Sequence, residues 1–289
     1  MVYIAQGEKG VKTGWHFLNF ALESPYQKNV RAMPLTLTRA DKEAIMRRKF
    51  MPVVVALLVA GSLAAPAQGQ TAKDVLAKMI DAMGGRQAIA AVKDTTLSGT
   101  FEFVSMAMSG AMTVYAKEPN KVRVDIELMG MVITQAYDGQ VAWFVNPQTG
   151  STEEMPAAQA SEMQRRGMGN DMLLNPEKVG VTYTLKDRET VENKEYIVLE
   201  QKYADGYTAK LYIDPATYLV MRQRGKALNP MTQAEADTDT IISDYRPVNG
   251  IKMAYSSVTY QDGAEAMRVT FAKVVCNTGL EDSFFAMNK

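Results

Sequence analysis

Apolar and polar residues change period twice along this chain. Thr71 to Met83 sets Val75, Leu76, Met79, Ile80 and Met83 at helical spacing, with Thr71 and Asp74 placed for a capping box. Gly84-Gly85 ends that helix, and Arg86 to Val92 predicts a second short one with Ile89 and Val92 inward. From Thr95 the period drops to two. Leu97, Phe101 and Phe103 alternate with polar residues, Met112 to Ala116 predicts the return strand, and Lys121 to Leu128 alternates without a break. There Val122, Val124, Ile126 and Leu128 occupy one face, and Lys121, Arg123, Asp125 and Glu127 the other, as expected of a sheet with one apolar side. A Met-Gly-Met turn, another strand, Tyr137-Asp138-Gly139 and a strand carrying Trp143 and Phe144 complete a meander.

Gly150 to Asn175 interrupts it. Pro156 suits a helix start, and Ala157 to Arg166 is helical in composition. Met155, Met163, Met168, Met172, Leu173 and Leu174 make this too apolar for a surface loop, and Gly167 and Gly169 suggest a hinge. The segment reads as a lid or plug across one mouth of the sheet. Strands follow at 181–186, 196–201, 208–214, 218–224, 239–245, 251–260 and 265–275, with turn chemistry at Asp205-Gly206, Asp214-Pro215, Asn249-Gly250 and Asp262-Gly263. Leu280 to Met287 is expected to pack Phe284 and Phe285 against the body. The pattern predicts a single, mainly β domain of about ten or eleven antiparallel strands, with an N-terminal helix and a helical lid.

The first 67 residues lie outside this pattern. Met46-Arg47-Arg48-Lys49-Phe50, an apolar run from Pro52 to Gly61 and an Ala-rich end have the three parts of a secretory signal peptide. The run falls short of the roughly 20 apolar residues of a membrane span. Residues 46–67 are therefore read as a signal, by the general or the twin-arginine export route, and 1–45 as an upstream extension. The expected mature domain is 68–289, placed in the periplasm without an anchor.

Composition narrows the chemistry. Removing the leader leaves 23 basic and 28 acidic residues, a formal charge of −5 and no electrostatic footprint for nucleic acid. Cys276 is the single cysteine, so no internal disulfide forms and none stands at the signal junction for lipid attachment. His16, the one histidine, leaves with the leader, which excludes Ser-His and Cys-His catalysis and imidazole metal sites. Asp125, Glu127, Glu153 and Glu154 are the remaining acid/base candidates, with nothing in the sequence to bring two of them together. Gly84-Gly85 follows a helix and lacks a phosphate loop's lysine. The expectation is a protein that is not an enzyme and needs no cofactor or metal.

Sixteen of the twenty methionines lie in the mature chain. Methionine is unbranched and polarizable and suits surfaces that adapt to varied apolar ligands, though it also fills ordinary cores. The candidate ligand wall comprises Phe101, Phe103, Met112, Val122, Val124, Ile126, Trp143 and Phe144, with Met163, Met168 and Met172 on the lid.

Tyr115-Ala116-Lys117-Glu118-Pro119-Asn120-Lys121-Val122-Arg123, Tyr137-Asp138-Gly139-Gln140-Val141-Ala142-Trp143 and Asn146-Pro147 resemble the outer membrane lipoprotein-sorting superfamily of LolA and LolB. The likeness continues through Tyr212-Ile213-Asp214, Thr217-Tyr218-Leu219-Val220, Ser243-Asp244-Tyr245 and Gly250-Ile251-Lys252. Directly before Pro119 the carrier has a basic residue, and this chain has Glu118. The resemblance implies an incomplete, half-open antiparallel β-barrel whose concave, apolar face is capped by helices and receives acyl chains. The partners it implies are a lipid or acylated lipoprotein, and inner- and outer-membrane proteins that pass cargo to and from a monomer. Two other function classes fit the residues: an envelope sensor or interaction module, and a carboxylate-dependent hydrolase.

Overall fold

The structure, a computed structural model, describes residues 69–228 and 234–287. The expected signal (46–67) and the expected upstream extension (1–45) lie outside the described residues. Helix α1 (Ala72–Ala82) starts where the capping box placed it: Thr71 accepts from the Asp74 backbone N–H, and Asp74 returns a carboxylate to Thr71. Helix α2 (Arg86–Ala91) follows after Gly84 and Gly85, both at positive φ.

The strands then run in two meanders. The first holds β1 (Asp94–Phe103), β2 (Met108–Lys117), β3 (Lys121–Leu128), β4 (Met131–Tyr137), β5 (Ala142–Val145) and β6 (Thr152–Glu154). Helices α3 (Ala157–Arg166) and α4 (Asp171–Leu174) intervene. The second meander contains β7 (Thr182–Leu185), β8 (Glu189–Val191), β9 (Lys194–Lys202), β10 (Thr208–Ile213), β11 (Val220–Leu228), β12 (Glu235–Val248), β13 (Ile251–Gln261) and β14 (Ala264–Cys276). The alternation extends further than expected. Fourteen strands are present among the described residues, above the ten or eleven read from the sequence; β6 and β8, three residues each, are too short to show a period.

All pairings are antiparallel, and the sheet is open, not closed into a barrel. Its order is β6-β5-β4-β3-β2-β1-β14-β13-β12-β11-β10-β9-β7, with β8 also on β9. The first and last long strands therefore pair at the centre, from Thr95 against Cys276 to Phe103 against Met267. The two edges, β6 and β7, are joined by the α3–α4 connection.

One face carries the helices and is called inner here. Helix α1 lays Val75 and Met79 on Ile197, Leu199, Leu211 and Ile213. Ile80, Ile89 and Leu174 meet Ile251 and Cys276 beside it. Deep burial of such aliphatic side chains stabilises the fold by about 1.5–3 kcal/mol each. The outer face of the second meander is charged: Arg222 is buried between Glu192 and Asp239, and Lys210 and Tyr212 both bond Glu189.

Candidate functional site

Register decides which candidate residues share a face. Directly opposed residues of an antiparallel pair point the same way. Val122 opposes Ala116 and Tyr137, and Tyr137 opposes Ala142. Val124 opposes Val114 and Gln135, which in turn opposes Phe144. Ile126 opposes Met112 and Ile133, while Met112 opposes Gly99. Val114 opposes Leu97, so the period of two carries the same face to Phe101 and Phe103 on β1. Phe101, Phe103, Met112, Val122, Val124, Ile126 and Phe144 thus stand together on the inner face. Phe101 and Phe103 meet edge to face at 5.1 Å. Gly110 makes room for the Phe101 ring: a Cβ there would stand 2.9 Å from its edge and closer still to the Glu127 carbonyl.

Trp143 does not join them. It opposes Ala136, which opposes Arg123, and so belongs to the outer face. Its indole N–H donates to the Phe285 carbonyl at 2.9 Å, and Phe285 is fully buried. The expectation that Trp143 and Phe144 line one cavity is corrected by strand geometry, since adjacent residues point to opposite faces. Arg123, expected on a solvated face, is half-buried under the same C-terminal segment. It donates to the Phe284 carbonyl at 3.1 Å, lies 4.4 Å from the Phe284 ring centre and pairs with Asp125 at 3.0 Å.

The inner face is covered unevenly. At one end Met155 and Met163 bury Val122, Tyr137 and Ala142, with Phe144 packed alongside. Toward the other end Phe103, Met108, Met112, Ile126, Ile133 and Met267 are all half-exposed. Beyond them the β3–β4 turn, with Met129 and Gly130 at positive φ, leaves Met129, Met131 and Val132 exposed at 83%, 50% and 56%.

The lid crosses from edge to edge and is fastened at four places. Met163, 3% exposed, sits in the cluster beneath β4 and β5. Arg165, two residues on, forms an ion pair with Asp205 and stacks 4.2 Å from the Tyr207 ring centre, on the β9–β10 turn. Further along, Asn170 donates its side-chain amide to the carbonyls of Ile89 and Val92, and its backbone N–H to Glu118 at 2.8 Å. Met172 lies at the β7 and β9 side, where the Tyr183 hydroxyl donates to its carbonyl and the Tyr203 hydroxyl to its sulfur at 3.5 Å. Met168 is half-buried between these anchors. The lid methionines therefore face different neighbours: Met163 meets the first meander and Met172 the second.

Gly167 and Gly169, expected to form a hinge, are close-packed. A Cβ on Gly167 would meet the Tyr137 ring at 2.9 Å, and one on Gly169 the Glu118 carboxylate at 2.7 Å. Glu118 is thus the residue that sequence reasoning left without a role. Burial raises its pKa above the usual carboxylate range, the Asn170 N–H opposes that shift, and Asp171 adds to it. Burial also raises the hydroxyls of Tyr183, and of Tyr203 to about 12, so both remain neutral donors under the lid. The other carboxylates stay apart. Asp125 bonds Arg123 and Thr134, while Glu153 bonds Ser151 and Asn146, which lower its pKa.

No family model matches the sequence, and no curated protein matches it either. Solved structures do. An outer membrane lipoprotein-sorting protein domain from Vibrio parahaemolyticus superposes with a TM-score of 0.52 at 12% identity, covering 74% of this chain and 97% of its own. A LolA superfamily protein from Nitrosomonas europaea gives 0.52 at 14%, covering 75% and 98%. A DUF1329 family protein from Desulfovibrio piger gives 0.51 at 13%, covering 74% and 97%. The fold is that of the lipoprotein-sorting proteins. This agrees with the resemblance read from the Tyr115–Arg123 and Tyr137–Trp143 segments, and at these identities the likeness is one of fold. Among the described residues no helix is long and apolar enough to cross a membrane.

Proposed function

We propose that this protein is a periplasmic carrier that binds acyl chains of lipoproteins or other lipids on the inner face of its half-barrel and moves them toward the outer membrane. In this reading residues 46–67 direct export, residues 68–289 form the working domain, and the protein acts as a monomer without catalysis or cofactor. The carrying observation is the uneven cover of the inner face. One end is sealed by α1, Met155 and Met163, while the other presents Phe103, Met108, Met112, Ile126 and Met267 half-exposed. A half-covered apolar face stabilises a bound chain by about 0.8 kcal/mol for each methylene it removes from water. The lid methionines Met168 and Met172, held between Glu118 and the tyrosines of the second meander, extend that surface when the lid moves.

Native mass spectrometry of the mature protein purified from its own envelope tests this reading. A bound diacyl or triacyl lipid mass is expected, and Ile126→Glu, which places a charge on the open half of the face, should remove it. Recovery of the unmodified protein with no lipid mass, together with no saturable uptake of a diacylated peptide, would overturn it.

A further inference from the structure

One rim of the sheet ends in two neighbouring hairpin turns, and each sets methionines on either side of a reversed residue. Met106-Ala107-Met108 joins β1 to β2, and Met129-Gly130-Met131 joins β3 to β4. The middle residues, Ala107 and Gly130, stand at positive φ, as does Met129. Ala111 opposes Glu127 across β2 and β3, so the same register carried toward the rim sets Ser109 beside Met129 and Met108 beside Gly130. Paired strands lie about 4.8 Å apart, and the two turns therefore adjoin.

Methionine is out of place at 129. Leu128 opposes Met131, so Met129-Gly130 is a two-residue turn with both residues in the left-handed region, where Asn, Asp or Gly is favoured. The comparable turns of this protein follow that preference with polar residues or glycine: Glu192-Asn193, Asn249-Gly250 and Asp262-Gly263. Met129 takes the unfavourable backbone without packing in return, since it is 83% exposed, and Met131 is 50% exposed. Neither backbone preference nor burial accounts for the residue, which leaves its apolar surface or its sulfur. Leucine or phenylalanine would supply the apolar surface equally well. What positions 106, 108, 129 and 131 share is the thioether.

We propose that Met106, Met108, Met129 and Met131 form a binding site for a soft monovalent cation of the copper(I) class. Thioether sulfur is a soft, neutral donor that selects Cu(I), while calcium and magnesium go to oxygen ligands. An unbranched side chain with three rotatable bonds lets each sulfur turn from its own turn toward a common point. Glu127, exposed on β3 two residues before Met129, forms no salt bridge among the described residues and adds negative charge beside the cation. Among the described residues no group of three or more His, Cys, Asp or Glu side chains offers a rival site. The site goes beyond the carrier reading and does not rest on it. Met108 is common to both surfaces, whereas Met106, Met129 and Met131 have no part in the acyl-binding face.

Titration of the mature protein, carrying methyl-labelled methionine, with Ag(I) in chloride-free buffer tests the proposal, silver being a redox-inert stand-in for Cu(I). Saturable uptake of a single equivalent is expected, with carbon-13 shifts confined to the methyl signals of Met106, Met108, Met129 and Met131. The buried Met79 and Met163 should not move, and Cu(I) added under argon should shift the same four signals. Met129→Leu/Met131→Leu keeps the apolar area and removes two donors; it should weaken uptake roughly 100-fold with unchanged circular dichroism. Ile126→Glu, which disables the acyl-binding face, should leave uptake unchanged, so the failure of one reading is distinguishable from failure of the other. No saturable uptake of either ion, or wild-type affinity in the double leucine variant, would overturn the site. Silver held at Cys276 with the four methyl signals unmoved would overturn it as well.

Discussion

Glu118 holds a carboxylate in a half-buried place where burial disfavours its charge and the Asn170 N–H favours it, and burial prevails. With the pKa raised while the lid is docked, the docked state binds a proton more tightly than an open one. Docking is therefore fully favoured below the ordinary carboxylate range and weakens as pH rises through the raised value. Hydrogen exchange across 167–174 should slow as pH falls toward that range, after correction for intrinsic rates, and Glu118→Gln should flatten the dependence. Asp94 behaves oppositely. Burial pushes its pKa up, but hydrogen bonds from Thr278 and Gly279 outweigh this and hold it low. Its contribution is present above the usual carboxylate range and is lost as pH falls through the depressed value. Asp94→Ala should cost about 1–3 kcal/mol in chemical denaturation at neutral pH, with a smaller deficit in acid. At this scale the sequence was partly readable. Thr71 and Asp74 announce their capping box because both partners lie within one turn. Nothing near Glu118 or Asp94 announces a partner 52 or 184 residues away.

The lid is an element attached by unlike means to the two meanders. Met163 anchors it by burial, and Met163→Ala should cost about 2–5 kcal/mol as a large-to-small change in a packed cluster. Arg165 anchors the other side by a partly exposed ion pair and ring contact, where Arg165→Ala should cost about 1 kcal/mol or less. Thermal melts of the two variants will show whether that order holds. Polar replacement of Met168 and Met172 should abolish lipid retention while the fold persists; retention at the wild-type level would exclude them from the ligand surface. Gly169→Ala, at a φ of 58° against the Glu118 carboxylate, should loosen the lid specifically, seen as faster exchange at 170–174 with little change elsewhere. The alternation of β3 and the turns at Asp138-Gly139 and Asn249-Gly250 are local signals, and the structure follows them. The tight seating of Gly167 and Gly169 is not local. A paired glycine reads the same whether the space beside it is empty or filled by a ring from another strand.

At the scale of the molecule, face assignment ties the candidate residues together and also separates one from the rest. Trp143, the one tryptophan among the described residues, reports on the outer face beneath Phe284 and Phe285. Phe285→Ala should shift its emission to the red, and lipid loading of the inner face should leave it nearly unchanged. Period-two patterning could reveal that an apolar face exists, but strand pairing over long separations has no local mark. That β1 lies beside β14, and that the lid therefore joins two sheet edges, came only with the register.

That central pairing has a consequence for the newly made chain. Thr95 and Cys276 are neighbours in space and 181 residues apart in sequence, so the middle of the sheet cannot form until almost the whole polypeptide has been synthesised. Until then each meander carries an unpaired edge at β1 or at β13, and neither can complete the inner face. Topologies dominated by such distant pairings fold slowly, in milliseconds to seconds. A mature chain truncated before β14 should accordingly remain sensitive to protease throughout, and resistance should appear in one step once the last strand is included.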